Sequence, residues 1–290
     1  MRLIEIVVNS LVPASLYTLI GVSFVLVYRT TQVLNFALGQ LLLIAGLVFF
    51  SFSVGLNSNF ALSMVGLIIV GLLLGLVIYL TLLRPMTGQG HLVVVMFTII
   101  LGTILQSVGG IIWGTASKSI PNPFGQKGIP IVPGASLSSF DFVVIGTAAI
   151  VIVAVGLFVR FSAFGIAMRA TAEHPTLASY RGVNVIRVAA VAWSISVAIA
   201  FLAGAFIGMR STVDVSIVGL GFVGFAAILV GGMDSILGAL VGALIVAIIQ
   251  AIATTFLGGE WSEVSAFAVL LVALIIRPYG LFGTPEFMRL

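Results

Sequence analysis

Of the 290 residues, 61% are hydrophobic and 7% are charged, whereas a soluble globular domain carries about 25% charged residues. Eight acidic and twelve basic side chains cannot supply the polar surface needed to cover so apolar a chain, so a soluble fold is excluded and most of the solvent is lipid. There is no cysteine, which excludes disulfides and thiolate metal ligands. The formal charge of +4 comes from Arg and Lys scattered between apolar runs. Without a basic cluster interleaved with aromatics, these are topology determinants and not a nucleic-acid surface.

A bilayer core of about 30 Å takes roughly 20 residues of helix, which gives the chain room for about eight to ten crossings. Arg2 and Glu5 precede an apolar run that continues to Tyr28 with no small-x-small cleavage site, so the first run is a span and not a signal peptide. Apolar runs fall at 8–28, 36–56, 60–83, 91–113, 141–159, 188–209, 217–232, 236–257 and 264–276. The pattern predicts an all-α polytopic integral membrane protein, one transmembrane domain over 1–290 with 8–9 helices. The runs 217–232 and 264–276 are short for a full crossing, and the first of them is a candidate broken or re-entrant helix.

With nine crossings and the N-terminus outside, the inward loops carry Arg29, Arg84, Arg160, Arg169, Arg181, Arg187, Arg277 and Arg289. The outward ones carry Arg2, Lys118, Lys127 and Arg210. This bias follows the positive-inside rule and puts the C-terminus in the cytoplasm. The connection 114–140, with Pro121, Pro123, Pro130 and Pro133, reads as an irregular external loop. The connection 160–187 holds Ala167–Ala172, then Pro175, a short helical stretch Thr176–Tyr180 and Gly182 as C-cap, and reads as short helices on the inner face.

No G-x-x-x-x-G-K-[ST] loop is present, so the chain has no phosphate cradle of that kind. H-E-x-x-H, G-x-S-x-G and Cys/His clusters are likewise missing, and His91 and His174 read as solvated loop residues. An enzyme is not expected. All eight acids, Glu5, Asp141, Glu173, Asp214, Asp234, Glu260, Glu263 and Glu286, fall at span ends or in loops, whereas carriers driven by protons or voltage keep ionisable groups within the membrane. Interior polarity comes instead from neutral residues such as Asn35, Gln40, Gln106, Ser107, Ser194, Gln250, Thr254 and Thr255. These side chains suit either a solute path or interhelical hydrogen bonding. Among 33 glycines, the pairs Gly71/Gly75, Gly204/Gly208 and Gly238/Gly242 each mark one helix face for close packing. Gly219, Gly221, Gly224, Gly231 and Gly232 crowd one short run beside Asp234, as broken helices near translocation paths do.

Three stretches together resemble the membrane subunits of ABC importers for branched-chain amino acids, in particular the shorter, H-type permease. Leu34-Asn35-Phe36-Ala37-Leu38-Gly39-Gln40 is similar to that family's L-N-F-A-x-G-[EQ]. Gly165-Ile166-Ala167-Met168-Arg169-Ala170-Thr171-Ala172-Glu173-His174-Pro175, continuing through Ala178 and Gly182-Val183-Asn184, resembles its G-x-x-x-R-A-x-x-x-[DN]-P loop. Leu229-Val230-Gly231-Gly232 through Gly238-Ala239, with Arg277-Pro278-Tyr279-Gly280-Leu281-Phe282-Gly283, looks like its L-G-G-x-G-S-[IP]-x-G-A and R-P-x-G-L-F-G. Leu38, His174 and Asp234 depart from residues common there, which leaves the substrate open among branched-chain amino acids, urea, short amides and other amino acids.

The resemblance implies a permease that passes leucine, isoleucine, valine or a similar small neutral solute into the cytoplasm of a bacterial or archaeal cell. It implies a second homologous permease subunit, two cytoplasmic ATP-binding subunits and an extracytoplasmic solute-binding protein. The chain itself then needs no cofactor, ATP being bound by its partners. The resemblance marks Arg169, Ala170, Ala172, Glu173, His174, Pro175, Ala178 and Gly182 as the segment that couples to the ATPase. Asn35, Phe36, Gly39, Gln40, Gly231 and Gly232 are the candidate translocation path. Composition alone accommodates two rivals: a self-sufficient channel or secondary carrier for a neutral solute such as urea or an amide, and a structural membrane subunit.

Overall fold

A computed structural model describes residues 2–125, 128–132 and 135–283. Lys127, Pro133, Glu286 and Arg289 lie outside the described residues. The chain is almost entirely helical, as its apolar runs require, since a backbone in lipid must satisfy its hydrogen bonds within each segment. The helices are α1 (Arg2–Thr31), α2 (Leu38–Phe50), α3 (Phe60–Val77), α4 (His91–Trp113), α5 (Ser139–Phe161), α6 (Ala163–Glu173), α7 (Pro175–Tyr180), α8 (Val185–Arg210), α9 (Ile217–Gly231), α10 (Ile236–Phe256) and α11 (Trp261–Ile276). Among the described residues seven helical segments, α2 and α3 taken together with the helical turns that continue them to Gly55 and Met86, are long and apolar enough to cross a membrane, and the two shorter apolar helices are α9 and α11. These nine correspond to the nine runs expected.

The starts of the helices are written in the sequence. Asn59, Ser162, Asn184 and Ser235 each accept a hydrogen bond from the backbone N–H three residues on, at 2.9–3.0 Å, and so cap α3, α6, α8 and α10. Ser138 and Asp141 cap α5 reciprocally: Asp141 Oδ2 accepts from the Ser138 N–H at 2.8 Å, and Ser138 Oγ accepts from the Asp141 N–H at 3.2 Å. The end of α2 continues as a π-helical turn over Ser51–Gly55, and α3 continues likewise over Ile78–Leu83.

Two expectations change. The loop 114–140 is not wholly irregular: Gly128–Val132 (β1) and Ala135–Ser138 (β2) pair antiparallel, with an irregularity between Pro130 and Val132. Pro130 within β1 is tolerated because a two-stranded ribbon is all edge. Nor is the glycine-crowded run broken. Helix α9 is continuous to Gly231, and the interruption follows it at Gly232, where φ is +115°.

By its internal contacts the chain divides into two compact units. The larger comprises 22–123 and 150–221, and the smaller 1–21, 124–149 and 222–290. In the larger unit α8 packs on α3 and α2, and α2 also on α4. Trp193, Phe201, Phe206, Phe49 and Leu67 fill its centre. Lipid tails are as apolar as these side chains, so close backbone approach must replace hydrophobic drive. The glycine pairs provide it: a Cβ on Gly75 would lie 2.6 Å from the Trp193 carbonyl oxygen, and one on Gly71 would lie 2.9 Å from the Ala198 Cα. Gly204 sits against the Leu42 carbonyl. Ser196 Oγ donates to the Ser23 carbonyl at 2.7 Å, a buried interhelical bond of the kind worth about 0.6 kcal/mol.

In the smaller unit α9 and α10 form an antiparallel hairpin with almost no side chains between them. Gly238 stands over Gly231, where a Cβ would lie 2.6 Å from the Gly231 carbonyl oxygen, and Gly242 stands over the Ala227 carbonyl. The chain then returns after α11, and the N–H groups of Leu281 and Phe282 donate to the carbonyls of Val230 and Gly231 at 3.0 and 2.8 Å. Gly280, at φ +78°, fits against Gly232, a Cβ there lying 2.6 Å from the Gly232 Cα.

Candidate functional site

The larger unit holds two cavities strung along one helix. Thr98, Gly102, Gln106 and Gly109 recur at three- and four-residue spacing on one face of α4, with His91 and Val94 below them on the same stripe. The cavity at the N-terminal end of α4, about 250 Å³, is lined by Thr30, Tyr79, His91, Val94 and Trp193, and also by Thr171 and Pro175. The cavity at its C-terminal end, about 440 Å³, is lined by Leu43, Leu47, Thr103, Gln106, Ser107 and Asp214. Loops that the basic-residue count assigns to one side of the membrane come together here: 30–33, 83–91 and 171–185 around the first cavity, and 114–116 and 213–215 around the second. An antiparallel bridge between Lys118 and Val213 joins the latter two loops.

Between the cavities α4 meets the irregular stretch that leads into α2. Thr98 Oγ1 accepts from the Phe36 N–H at 3.2 Å and donates to the Val95 carbonyl at 2.8 Å. Asn35 Oδ1 accepts from the Ala37 N–H at 3.1 Å. Unwound backbone is tolerated at such depth only where protein or a cavity surrounds it, and Asn35, at 1% exposure, is fully enclosed. One turn on, the Gln40 carboxamide presses against Gly102, with Oε1 2.7 Å from where a Cβ would stand.

Buried side-chain polar atoms nearly always find a partner. Among the described residues three do not: Asn35 Nδ2, Gln40 Oε1 and Trp193 Nε1. Two of them, Asn35 and Gln40, form the neck, and the third belongs to a residue that lines the first cavity.

The residues expected on the path therefore separate by role. Asn35, Phe36 and Gln40 build the neck. Gly39 serves a crossing: a Cβ there would lie 2.6 Å from the Val218 carbonyl oxygen, and its Cα is 2.5 Å from the Cβ position of Gly221. Gly231 and Gly232 belong to the smaller unit, where they seat Gly238 and the returning 280–283 segment. Thr98, Gly102 and Gln106 of α4 join the site only through the fold; their common helical stripe is the sequence signal that marks them.

The segment that the resemblance marks for coupling is two short helices joined at His174. Gly165 and Arg169, one turn apart on α6, both face the end of α5: Gly165 sits beneath the Phe158 and Val159 carbonyls, and the Arg169 guanidinium donates to the Val159 carbonyl and, at 3.4 Å, to that of Arg160. A cation on the last carbonyls of a helix complements its dipole, so Arg169 fastens α6 to α5. Ala178 is buried, while Ala170 and Ala172 are half-buried. Glu173, His174 and Pro175 are exposed, and Leu177 and Tyr180 stand out at 58% and 82% exposure. Gly182 turns the chain at φ +85°, and the Asn184 cap begins α8 two residues later. Thr171 and Pro175 make this segment a wall of the first cavity.

Comparison with known proteins supplies the family. Residues 6–274 match the family model described as branched-chain amino acid transport system / permease component. The chain is 29% identical to the high-affinity branched-chain amino acid transport system permease protein LivH of Escherichia coli, over 96% of this chain and 94% of that protein. It is 28% identical to BraD of Pseudomonas aeruginosa, over 96% and 95%, and 28% identical to a probable LivH of Methanocaldococcus jannaschii, over 95% and 91%. Among solved structures, PsaBC from Streptococcus pneumoniae in complex with Fab shares the fold at TM-score 0.55 and 15% identity, covering 94% of this chain and 92% of that one.

Proposed function

This chain belongs to the branched-chain amino acid transport permease family, and on that premise we propose that it is the membrane-spanning subunit of an ATP-binding-cassette importer for leucine, isoleucine, valine or similar small neutral solutes. It is a multi-pass membrane protein with a transport permease role. The finer reading adds a second homologous permease, two cytoplasmic ATPase subunits that bind the ATP, and an extracytoplasmic solute-binding protein. The N-terminus is outside and the C-terminus in the cytoplasm.

The observation that carries the reading is the pair of cavities along α4, closed from one another by an uncharged polar neck, with α6 and α7 forming a wall of the inner one. A solute-binding protein supplies affinity, so the path need only desolvate a net-neutral solute briefly, and Asn35, Gln40 and Thr98 replace part of its water. Because Thr171 and Pro175 line the inner cavity while Leu177 and Tyr180 face outward, a rigid displacement of α6–α7 by an ATPase is felt at the path. Differential contacts of that kind are what a coupled conformational change requires.

Reconstitution tests this. With the ATPase subunits and binding protein in proteoliposomes, labelled leucine should accumulate only when ATP is supplied on the ATPase side. The chain alone should move none. Transport by the chain alone under an imposed proton or sodium gradient would establish the secondary carrier instead.

A further inference from the structure

The outer cavity holds chemistry that the neck does not use. Its walls divide by kind: Leu43 and Leu47 of α2, with Val213, make an aliphatic side, while Gln106 and Asp214 present a carboxamide and a carboxylate to the same 440 Å³ space. Asp214 is held in place. Its Oδ2 accepts from Thr212 Oγ1 and its Oδ1 from the Ser216 N–H, both at 2.8 Å. Hydrogen bonding to the Ser216 side chain first, then to the Thr212 hydroxyl and the Ser216 backbone, keeps its carboxyl below the usual carboxylate range, so it is anionic at neutral pH. Both partners are neutral, which leaves the charge uncompensated from within its own turn. Lys118, bridged to Val213 through the backbone, turns its Nζ to the Phe50 ring, 5.9 Å from the centroid.

Along α4, Thr103 and Ser107 spend their hydroxyl protons on the carbonyls of Ile99 and Thr103. The half-buried Gln106 carboxamide carries two N–H donors and is not committed in that way. The cavity therefore offers a fixed anion, a neutral donor and an aliphatic wall. A neutral urea or amide can donate an N–H to the anion but leaves its charge uncompensated, and a carboxylic acid lacking an amine is repelled by it. An aliphatic zwitterion uses all three.

We propose that the outer cavity is a receiving subsite for an aliphatic α-amino acid, in which Asp214 takes the α-ammonium, Gln106 the α-carboxylate and the Leu43–Leu47 wall the side chain. The assignment rests on the import reading for the direction the cavity faces, and it narrows the solute from small and neutral to zwitterionic and aliphatic. A charge-assisted hydrogen bond from the ammonium orients the head group, and the solute then lies directly above the Gln40–Gly102 neck.

The chain has no cysteine, so Ser107→Cys is a clean reporter: Ser107 is exposed and lines the cavity. In the assembled transporter in intact cells, alkylation of this cysteine by an impermeant maleimide should slow in L-leucine but not in 4-methylpentanoate, which lacks the ammonium, nor in leucinamide, which lacks the carboxylate. Asp214→Asn in the reporter chain removes the charge and keeps an acceptor for the Ser216 N–H, its amide NH2 donating in turn to Thr212 Oγ1, and should raise the leucine concentration for half-protection by about tenfold or more, the loss expected for one charged hydrogen bond. Gln106→Glu, which disturbs no hydrogen bond, should abolish protection by repelling the solute's carboxylate. Leucine uptake is measured in the same cells. ATP-driven uptake without leucine protection, or with protection unchanged in both variants, overturns the subsite and leaves the import reading standing. No ATP-driven uptake of any aliphatic amino acid, with protection by leucine retained, overturns the import reading and leaves the subsite.

Discussion

The carboxamide oxygen of Gln40 and the bare α-carbon of Gly102 share one position between α2 and α4: a Cβ on Gly102 would lie 2.7 Å from Gln40 Oε1 and 3.3 Å from the Ala37 Cα. The first neighbour is the far end of a flexible side chain and the second is backbone. Gly102→Ala should therefore be absorbed by a swing of Gln40, whereas Gly102→Val should wedge against Ala37 and fill the neck. Leucine uptake by Gly102→Val should fall about tenfold or more at normal membrane levels, and overpacking of this kind costs about 1–3 kcal/mol in stability. Adding Gln40→Ala should restore part of the uptake. If the double variant transports no better than Gly102→Val, the neck is not formed by this pair.

Asn35 has two functions that substitution separates. Its Oδ1 holds the Ala37 N–H, while its Nδ2 is one of the three buried orphans. Asn35→Ala removes both, and the lost backbone bond alone costs about 1 kcal/mol. Asn35→Asp keeps the acceptor and exchanges the amide donor for a carboxyl that this enclosed site must desolvate, so it should transport poorly while still co-purifying with the ATPase subunits. Uptake equal to wild type in Asn35→Asp would exclude the orphan donor from the path.

The helical glycines are steric necessities to different degrees. A Cβ on Gly242 would press on the Ala227 carbonyl and lie 2.7 Å from the Gly231 nitrogen, whereas one on Gly156 of α5 meets nothing within 4 Å. Gly242→Ala should therefore open the α9–α10 hairpin and lower the thermal unfolding midpoint in detergent, with Gly156→Ala leaving it unchanged. Equal midpoints would show that α10 shifts without penalty.

Much of this architecture is legible in the sequence because membrane insertion leaves few alternatives. Apolar runs of about 20 residues must be helices, Asn59, Ser162, Asn184 and Ser235 announce their starts, and glycine pairs at four-residue spacing announce where they touch. The β1–β2 ribbon escapes because Pro130 and Pro133 carry the local signal of a loop. The role of Arg169 escapes for another reason. A basic residue in an inner loop is explained by topology alone, and only the fold brings the Phe158–Arg160 carbonyls to its guanidinium. The α4 stripe is visible as spacing, yet Thr98 gains meaning only from the unwound Leu34–Phe36 backbone that it holds, a contact across more than 60 residues.

The sidedness of the loops is testable with the same cysteine-free chain. Cysteines at Ser119, in the 114–140 connection, and at Ser179 of α7, both exposed, should be labelled by an impermeant thiol reagent from opposite faces of the membrane. Labelling of both from outside intact cells would invert or break the assignment of 160–187 to the cytoplasm.

The proposed coupling segment makes the most demanding prediction, because its three features fail differently. Arg169 fastens α6 to the last carbonyls of α5, so Arg169→Gln should loosen the segment and lower the unfolding midpoint together with uptake, a terminal cation of this kind being worth about 0.3–1 kcal/mol. Leu177 and Tyr180 are exposed on α7 and hold nothing in the chain's interior, so Leu177→Glu with Tyr180→Glu should leave the midpoint alone and abolish ATPase co-purification. Gly182 occupies the left-handed region with open space around its Cβ position, where a side chain costs about 1–2 kcal/mol in backbone strain but meets no obstacle within the chain. Asn tolerates that conformation, so Gly182→Asn should support near-normal uptake. Gly182→Trp, with similar strain and much greater bulk, should reach the membrane yet lose ATP-driven uptake and the stimulation of ATP hydrolysis by loaded binding protein. Failure of both variants would trace the defect to the turn itself, and wild-type uptake in Gly182→Trp would rule out a close-fitting partner surface at this point.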